Sequence, residues 1–243
     1  MRILNVCAAV GCAALFSVGA SAATIESFDN GWYSQANGTT GDFTAGVSNI
    51  NVGWNTVTGA TYRNWLAFDL ASLAGQTITS ATLTFYGGNG DYDSPKASET
   101  LGLFAYDGSI DALVGDRSGV GVYNDLGTGA SYGQANVSGP LAMFTITLTA
   151  AAIDALNAAA SDPSDHRFAV GGSLLSVAAV HDGANWYDDG QLFRINGPTP
   201  ALDRAAYLSV EVAPVPLPAG LPLLLSGLGA MGLLGRRKKA QVA

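Results

Sequence analysis

The chain has 243 residues and a net charge of −8, with 11 Lys and Arg against 19 Asp and Glu. That balance repels nucleic-acid phosphates and anionic lipid, so no nucleic-acid partner is expected. Its two cysteines, Cys7 and Cys12, both lie close to the N-terminus. No disulfide or Cys-based metal framework can therefore organise the bulk of the chain.

In chain order, Met1 to Ala22 comes first. Arg2 opens it, an apolar run from Ile3 to Val18 follows, and Ala20-Ser21-Ala22 supplies small residues at Ala20 and Ala22. This is the pattern of a secretory signal peptide cut before Ala23, which implies the Sec translocon and signal peptidase as partners. The cut removes both cysteines, and the exported part must then be held by its core. Domain boundaries follow as 1–22, 23–212 and 213–243. The middle part is long enough for one ordinary domain. It keeps six of the basic residues and all nineteen acidic ones, a net −13.

Several segments of that domain alternate with a period of two. In Tyr62 to Leu70, Tyr62, Leu66, Phe68 and Leu70 share one face, with Arg63 and Asp69 on the other. Ile78 to Tyr86 sets Ala81, Leu83 and Phe85 against Thr82 and Thr84. Met143 to Thr149 sets Phe144, Ile146 and Leu148 against Thr145 and Thr147, and Ala205 to Val212 sets Leu208, Val210 and Val212 against Ser209 and Glu211. Thr100 to Tyr106 and Arg167 to Gly171 also read as strands. One greasy and one wet face per strand is the pattern of sheets packed on each other. A helix is expected over Ala150 to Ala160, with Thr149 as its cap and Ile153, Leu156 and Ala160 as a narrow apolar stripe. Ser161-Asp162-Pro163 ends it. A shorter helical turn is expected at Ser109 to Val114. The fold class is all-β: a β-sandwich, jelly-roll-like, with one short helix in a connection.

The chemistry-bearing residues are sparse. His166 and His181 are the two histidines, and Gly171-Gly172-Ser173-Leu174 is not a Gly-x-Ser-x-Gly elbow. No zinc-type spacing or phosphate loop is present. No catalytic residue is assigned, and the protein is expected not to be an enzyme. No cofactor is assigned, with calcium the one metal worth testing. Asp91 and Asp93 lie on the glycine-rich stretch Asn89 to Asp93, and Asp188 and Asp189 close a second acidic stretch. Calcium takes six to eight oxygens from such loops, but the same residues also read as solvated acidic turns. Trp186 and Tyr187, an aromatic pair beside those carboxylates, are the candidate ligand-binding patch, against core packing or loop anchoring. Trp54 and Trp65 are candidates on the same ground.

The last stretch combines three parts: Val215-Pro216-Leu217-Pro218-Ala219, an apolar run from Leu221 to Leu234, and the cations Arg236, Arg237, Lys238 and Lys239. Leu221 to Gly235 spans about 22 Å as a helix, a marginal length for a bilayer core of roughly 30 Å. Four cations resist crossing and mark the cytoplasmic side, so the expectation is a C-terminal transmembrane helix with everything upstream outside. This arrangement closely resembles the sorting domains of exosortase substrates in Gram-negative bacteria, called PEP-CTERM. With Leu217 in place of the usual Glu, it is similar to the variant called VPLPA-CTERM. The resemblance implies an exosortase partner that cuts near Val215 to Ala219. It also implies an inner-membrane intermediate before processing, final delivery to the cell envelope or outside, and an association with exopolysaccharide and biofilm. Tyr62 to Leu70 followed by Thr79-Ser80-Ala81-Thr82-Leu83, with Tyr123 to Gly127 and Ser131-Tyr132-Gly133, resembles DNRLRE-type bacterial surface domains across Ile25 to Val212. That second likeness implies a sandwich and carries no activity. The functional expectation is a non-enzymatic envelope or matrix protein; the alternative is a secreted carbohydrate-binding module, calcium-assisted.

Overall fold

The computed structural model describes residues 21–35, 50–55, 60–85, 92–115, 120–139, 143–176, 191–192 and 206–214. In chain order these form β1 (Ser21–Ser34), β2 (Val52–Asn55), β3 (Ala60–Asp69), a 3-10 turn (Ala71–Leu73), β4 (Ile78–Phe85), β5 (Tyr92–Asp93) and β6 (Glu99–Ala105). Then come α1 (Ile110–Gly115), α2 (Val120–Asp125), β7 (Ser131–Val137), β8 (Phe144–Thr147), α3 (Ala150–Ser161), β9 (Arg167–Leu174), β10 (Gln191–Leu192) and β11 (Ala206–Val212). The described chain is mostly strand, and every strand pair in it is antiparallel.

β1 is the hinge of the sheet. Ser21 to Glu26 pair with β11, and from Ser27 onward the strand pairs with β3 instead. The register slips between Ser27 and Asp29, and such a bulge bends a strand and increases its twist. One run of strands is therefore β8-β4-β11-β1, and the other is β1-β3-β9-β6-β7. β2 lies along β3 at Ala60 to Tyr62, ahead of β9, and carries the short β10 and β5 beyond it. The ring almost closes where β7 meets β8. There the Thr149 N–H donates to the Tyr132 carbonyl at 3.0 Å, and the Thr149 hydroxyl donates to the Ser131 carbonyl at 2.8 Å. Gly133, at φ 150°, permits that approach: a side chain there would meet the Ile146 Cγ2 at 2.8 Å and the Thr147 carbonyl at 2.9 Å.

Alternation decides the main core. Ala81, Leu83 and Phe85 of β4, and Leu208, Val210 and Val212 of β11, point to the same apolar interior as Leu66 and Phe68 of β3. Leu101 and Leu103 of β6 and Phe168 and Val170 of β9 complete it. The expected core residues Phe68, Leu83, Phe85, Ile146, Leu148, Leu208 and Val210 are all buried. Phe144 differs, being only half-buried. Its position near the start of an end strand leaves one side open while the ring stacks on Phe85, 5.1 Å between centroids.

Helix α3 lays Ala152, Leu156 and Ala160 on this core. Thr149 occupies the cap position but makes no side-chain cap, because its hydroxyl is spent on the β7–β8 seam. Asn157 holds the helix to β4: its carbonyl oxygen accepts the Ile78 N–H at 2.8 Å and its amide donates to the Ile78 carbonyl at 2.9 Å.

A second, smaller core lies on the opposite face of β3. Trp65 and Ala67, with Tyr33 of β1 and Ala169 of β9, are covered by Leu113 of α1 and by Tyr123 and Leu126 at the end of α2. The Tyr33 hydroxyl donates to the Leu113 carbonyl at 3.0 Å. From Asn64 to Phe68, β3 is therefore buried on both faces, which a strictly two-faced reading of that strand misses. Residues Ser21–Ala213 form one compact unit.

Candidate functional site

The most completely built polar cluster among the described residues surrounds Glu99, the first residue of β6. Its side chain is 1% exposed, and a carboxylate so placed needs partners. The Ser94 hydroxyl donates to Glu99 Oε1 at 2.6 Å, and the Ser176 hydroxyl donates to Oε2. Each serine also accepts a backbone N–H, Ser94 from Lys96 at 3.1 Å and Ser176 from Thr100 at 2.9 Å. The Lys96 ammonium donates to the Ser176 carbonyl at 2.7 Å, and the Tyr92 hydroxyl donates to the Lys96 carbonyl at 2.9 Å. Burial pushes the Tyr92 phenol up, with the Ser94 hydrogen bond opposing and Glu99 adding to the rise. The cluster ties the turn after β5, the start of β6 and the end of β9 into one knot. Both serine oxygens already donate and accept, so the geometry is that of a fastening.

Arg63 forms a second construction, on the outer face. Its Nη1 donates to the carbonyls of Tyr123 and Asn124, each at 2.9 Å, and its guanidinium carbon lies 4.4 Å from the Tyr123 ring centroid. A cation suits the last turn of a helix, where carbonyls lack partners. Burial lowers the pKa of Arg63, and Tyr123 opposes that shift. The Arg63 Nε is buried without a hydrogen bond. Gly127 packs against the guanidinium so closely that any side chain there would strike it.

A third construction links α1 to β9. Arg167 donates Nε and Nη2 to the two oxygens of Asp165 at 2.7 and 2.8 Å, and Nη1 to Asp111 Oδ1 at 2.7 Å. The Arg167 hydrogen bond holds the Asp165 carboxyl down to about 2, and the two carboxylates raise Arg167.

The residues singled out in the sequence are placed unevenly. Asp93 falls in β5, opposite Gln191 of β10, two positions after Asp189 in the sequence. Asp91, Trp186, Tyr187, Asp188 and Asp189 lie outside the described residues, as do His181 and the stretch Val215 to Ala219 that was expected to serve in sorting. Ala20 and the cations Arg236, Arg237, Lys238 and Lys239 do too, whereas Ala22 lies in β1, opposite Glu211. Trp65 is 2% exposed and part of the outer core, which removes it as a sugar platform. No group of three or more His, Cys, Asp or Glu suited to a metal occurs among the described residues. Glu99 and Arg63 were not singled out as sites. The only sequence signal for Glu99 is a carboxylate opening an otherwise apolar strand. Neither a scan against protein-family models nor a search of curated proteins finds a match to this chain.

Proposed function

We propose that this chain is an exported, non-enzymatic protein of the bacterial cell envelope or extracellular matrix, sorted by an exosortase. The observation that carries the reading is the ordered C-terminal set: Val215-Pro216-Leu217-Pro218-Ala219, the apolar run Leu221 to Leu234, and Arg236-Arg237-Lys238-Lys239. A proline-containing motif, a marginal membrane span and a stop-transfer cluster have a joint use in transient anchoring and cutting. The cargo is then the β unit, read as a jelly-roll-like sandwich, β8-β4-β11-β1 against β1-β3-β9-β6-β7. Support comes from the main apolar core, to which both runs contribute. An acidic, cysteine-free surface suits life outside the cytoplasm beside hydrated polysaccharide. Mass spectrometry of the mature protein from its native host tests the proposal. A C-terminus near Pro218 or Ala219 is expected; intact Ala243 in envelopes that contain an exosortase defeats it.

The second reading is a carbohydrate-binding module assisted by calcium. One observation favours it: the β5–β10 pairing sets Asp93 opposite Gln191, near in sequence to Asp188 and Asp189. On this reading, millimolar calcium raises the melting temperature in a concentration-dependent way, since a ligand of the folded state stabilises by mass action. An unchanged melting temperature leaves these acids as solvated turns.

A further inference from the structure

We infer that the polar end of the inner face, where Trp32 of β1 meets Asn64 and Tyr62 of β3, is a binding site for a neutral sugar residue. The inference rests on the second reading, carbohydrate binding, and gives it a place in the fold that owes nothing to the acidic stretches. The register sets Asn30, Trp32 and Ser34 opposite Leu66, Asn64 and Tyr62. Leu66 lies in the main core, so the other five share its face. The Asn64 amide donates to the Ile50 carbonyl at 3.2 Å, which brings Asn51, the next residue, alongside. Trp32 and Tyr62 meet edge to face, 4.5 Å between centroids. Neither ring belongs to the main core or to the outer one.

Three polar atoms here are buried without a hydrogen bond: Asn30 Oδ1, Trp32 Nε1 and Asn51 Oδ1. Asn51 as a whole is only 8% exposed. Buried polar groups without partners are rare and costly, and water or a ligand completes them. The set is one donor and two acceptors. A sugar hydroxyl both donates and accepts, so one kind of group serves all three. The two rings add the apolar surface that ligand pockets combine with a few placed polar groups. A bound water needs polar partners alone and gives no reason for an aromatic pair left out of both cores. Trp32 and Asn30 are half-buried, which leaves an approach from solvent on the β1 side, with Asn51 and Asn64 deeper. None of Asn30, Trp32, Ser34, Asn51, Tyr62 and Asn64 carries a charge at neutral pH. A metal ion or a phosphate group would find no counter-charge among them. The six basic against nineteen acidic residues of 23–212 add repulsion of polyuronates.

Calorimetric titration of the full-length chain, in a detergent without a sugar headgroup, tests the site. The probes are oligosaccharides of glucose, galactose and mannose, with polyuronate fragments as the acidic counterpart, each with and without calcium. The variants are Asn30→Leu, Trp32→Phe and Asn51→Leu. Each removes one unpartnered atom and keeps much of the side chain's shape. A neutral oligosaccharide is expected to bind, with or without calcium, and each change to weaken it about ten-fold. Because Asn51→Leu breaks no hydrogen bond of Oδ1 within the protein, it should keep the parent's melting temperature; a lowered one makes Asn51 a structural residue and overturns its part in the site. Binding undiminished in all three variants overturns the site and leaves the carbohydrate reading to Trp186 and Tyr187. Binding of polyuronates alone, or only with calcium, overturns it too. If no saccharide binds the parent chain, the carbohydrate reading itself falls, and the inference with it.

Discussion

The two faces of β3 are both buried, but by different means. On the inner face, Leu66 and Phe68 share a core with buried side chains from seven other strands and α3, joined by Ile50, Leu70 and Leu148 from the connections. On the outer face, Trp65 and Ala67 are sealed by two helices of six residues each. Helices that short have no stability of their own. They stay in place through specific fastenings: Tyr33 to the Leu113 carbonyl, Arg63 to the Tyr123 and Asn124 carbonyls, and Arg167 to Asp111. Area and repetition hold the inner core, whereas individual polar contacts hold the outer cover. Damage to the first should therefore be global and damage to the second local.

The largest effect is expected from Phe68→Ala. Loss of a fully buried ring leaves a cavity worth about 3–5 kcal/mol, and urea unfolding should show the drop in one cooperative transition. Hydrogen exchange should quicken across β3, β4 and β11 together. A loss confined to residues 110–126 would contradict the contrast between the faces.

Next come two changes aimed at the cover. Gly171 lies in β9 directly beneath Leu126, whose backbone leaves no room for a Cβ. Gly171→Val should displace the cover and cost about 1–3 kcal/mol through overpacking. Arg63→Met keeps much of the apolar stem but leaves the carbonyls of Tyr123 and Asn124 unpaired, at about 1–3 kcal/mol. For both variants, exchange should rise first in residues 110–126 and leave β4 and β11 nearly unchanged. Equal acceleration in both regions would show that the two cores act as one.

The smallest effect is expected from acid. Arg167 depresses Asp165 from an ordinary 3.8 to about 2, so its folded pKa lies below its unfolded one. Its contribution is complete above about pH 4 and disappears as pH falls through 2. Asp165 is 41% exposed and Asp111 79%, so solvent screens the network and the change is small. Exchange at α1, measured between pH 5 and pH 2, should increase; Arg167→Gln should remove that pH dependence.

Strands whose period is undisturbed were legible in the sequence. β3, β4, β8 and β11 follow from their alternation, and α3 from its alanine-rich stripe. β1 was not legible, although it is the longest strand among the described residues. Its bulge between Ser27 and Asp29 shifts the register, and its two halves face different neighbours, so no single period runs through it. β7 was missed because Gly133, Gln134 and Asn136 dilute its pattern. Gly133 is there for the seam, a contact between residues distant along the ring. Thr149 was read as a cap for the same local reason that failed: its hydroxyl had a nearer partner on another strand. Ala22 shows the limit most plainly, since small residues suggest a cut there but do not reveal the strand it pairs with.

By itself, the sequence determined the β-rich class, the inner apolar faces, the place of α3, and the acidic, cysteine-free character of residues 23–212. These depend on neighbours two to four residues apart, which periodicity records. Only the tertiary structure decided that β1 serves both runs of strands, that Trp65 lies under a cover, that Glu99 sits in a knot with Ser94 and Ser176, and that Ala22 pairs with Glu211. Each of these joins residues far apart in sequence, by hydrogen-bond register or by space left for a glycine, and such pairings leave no period along the chain to read.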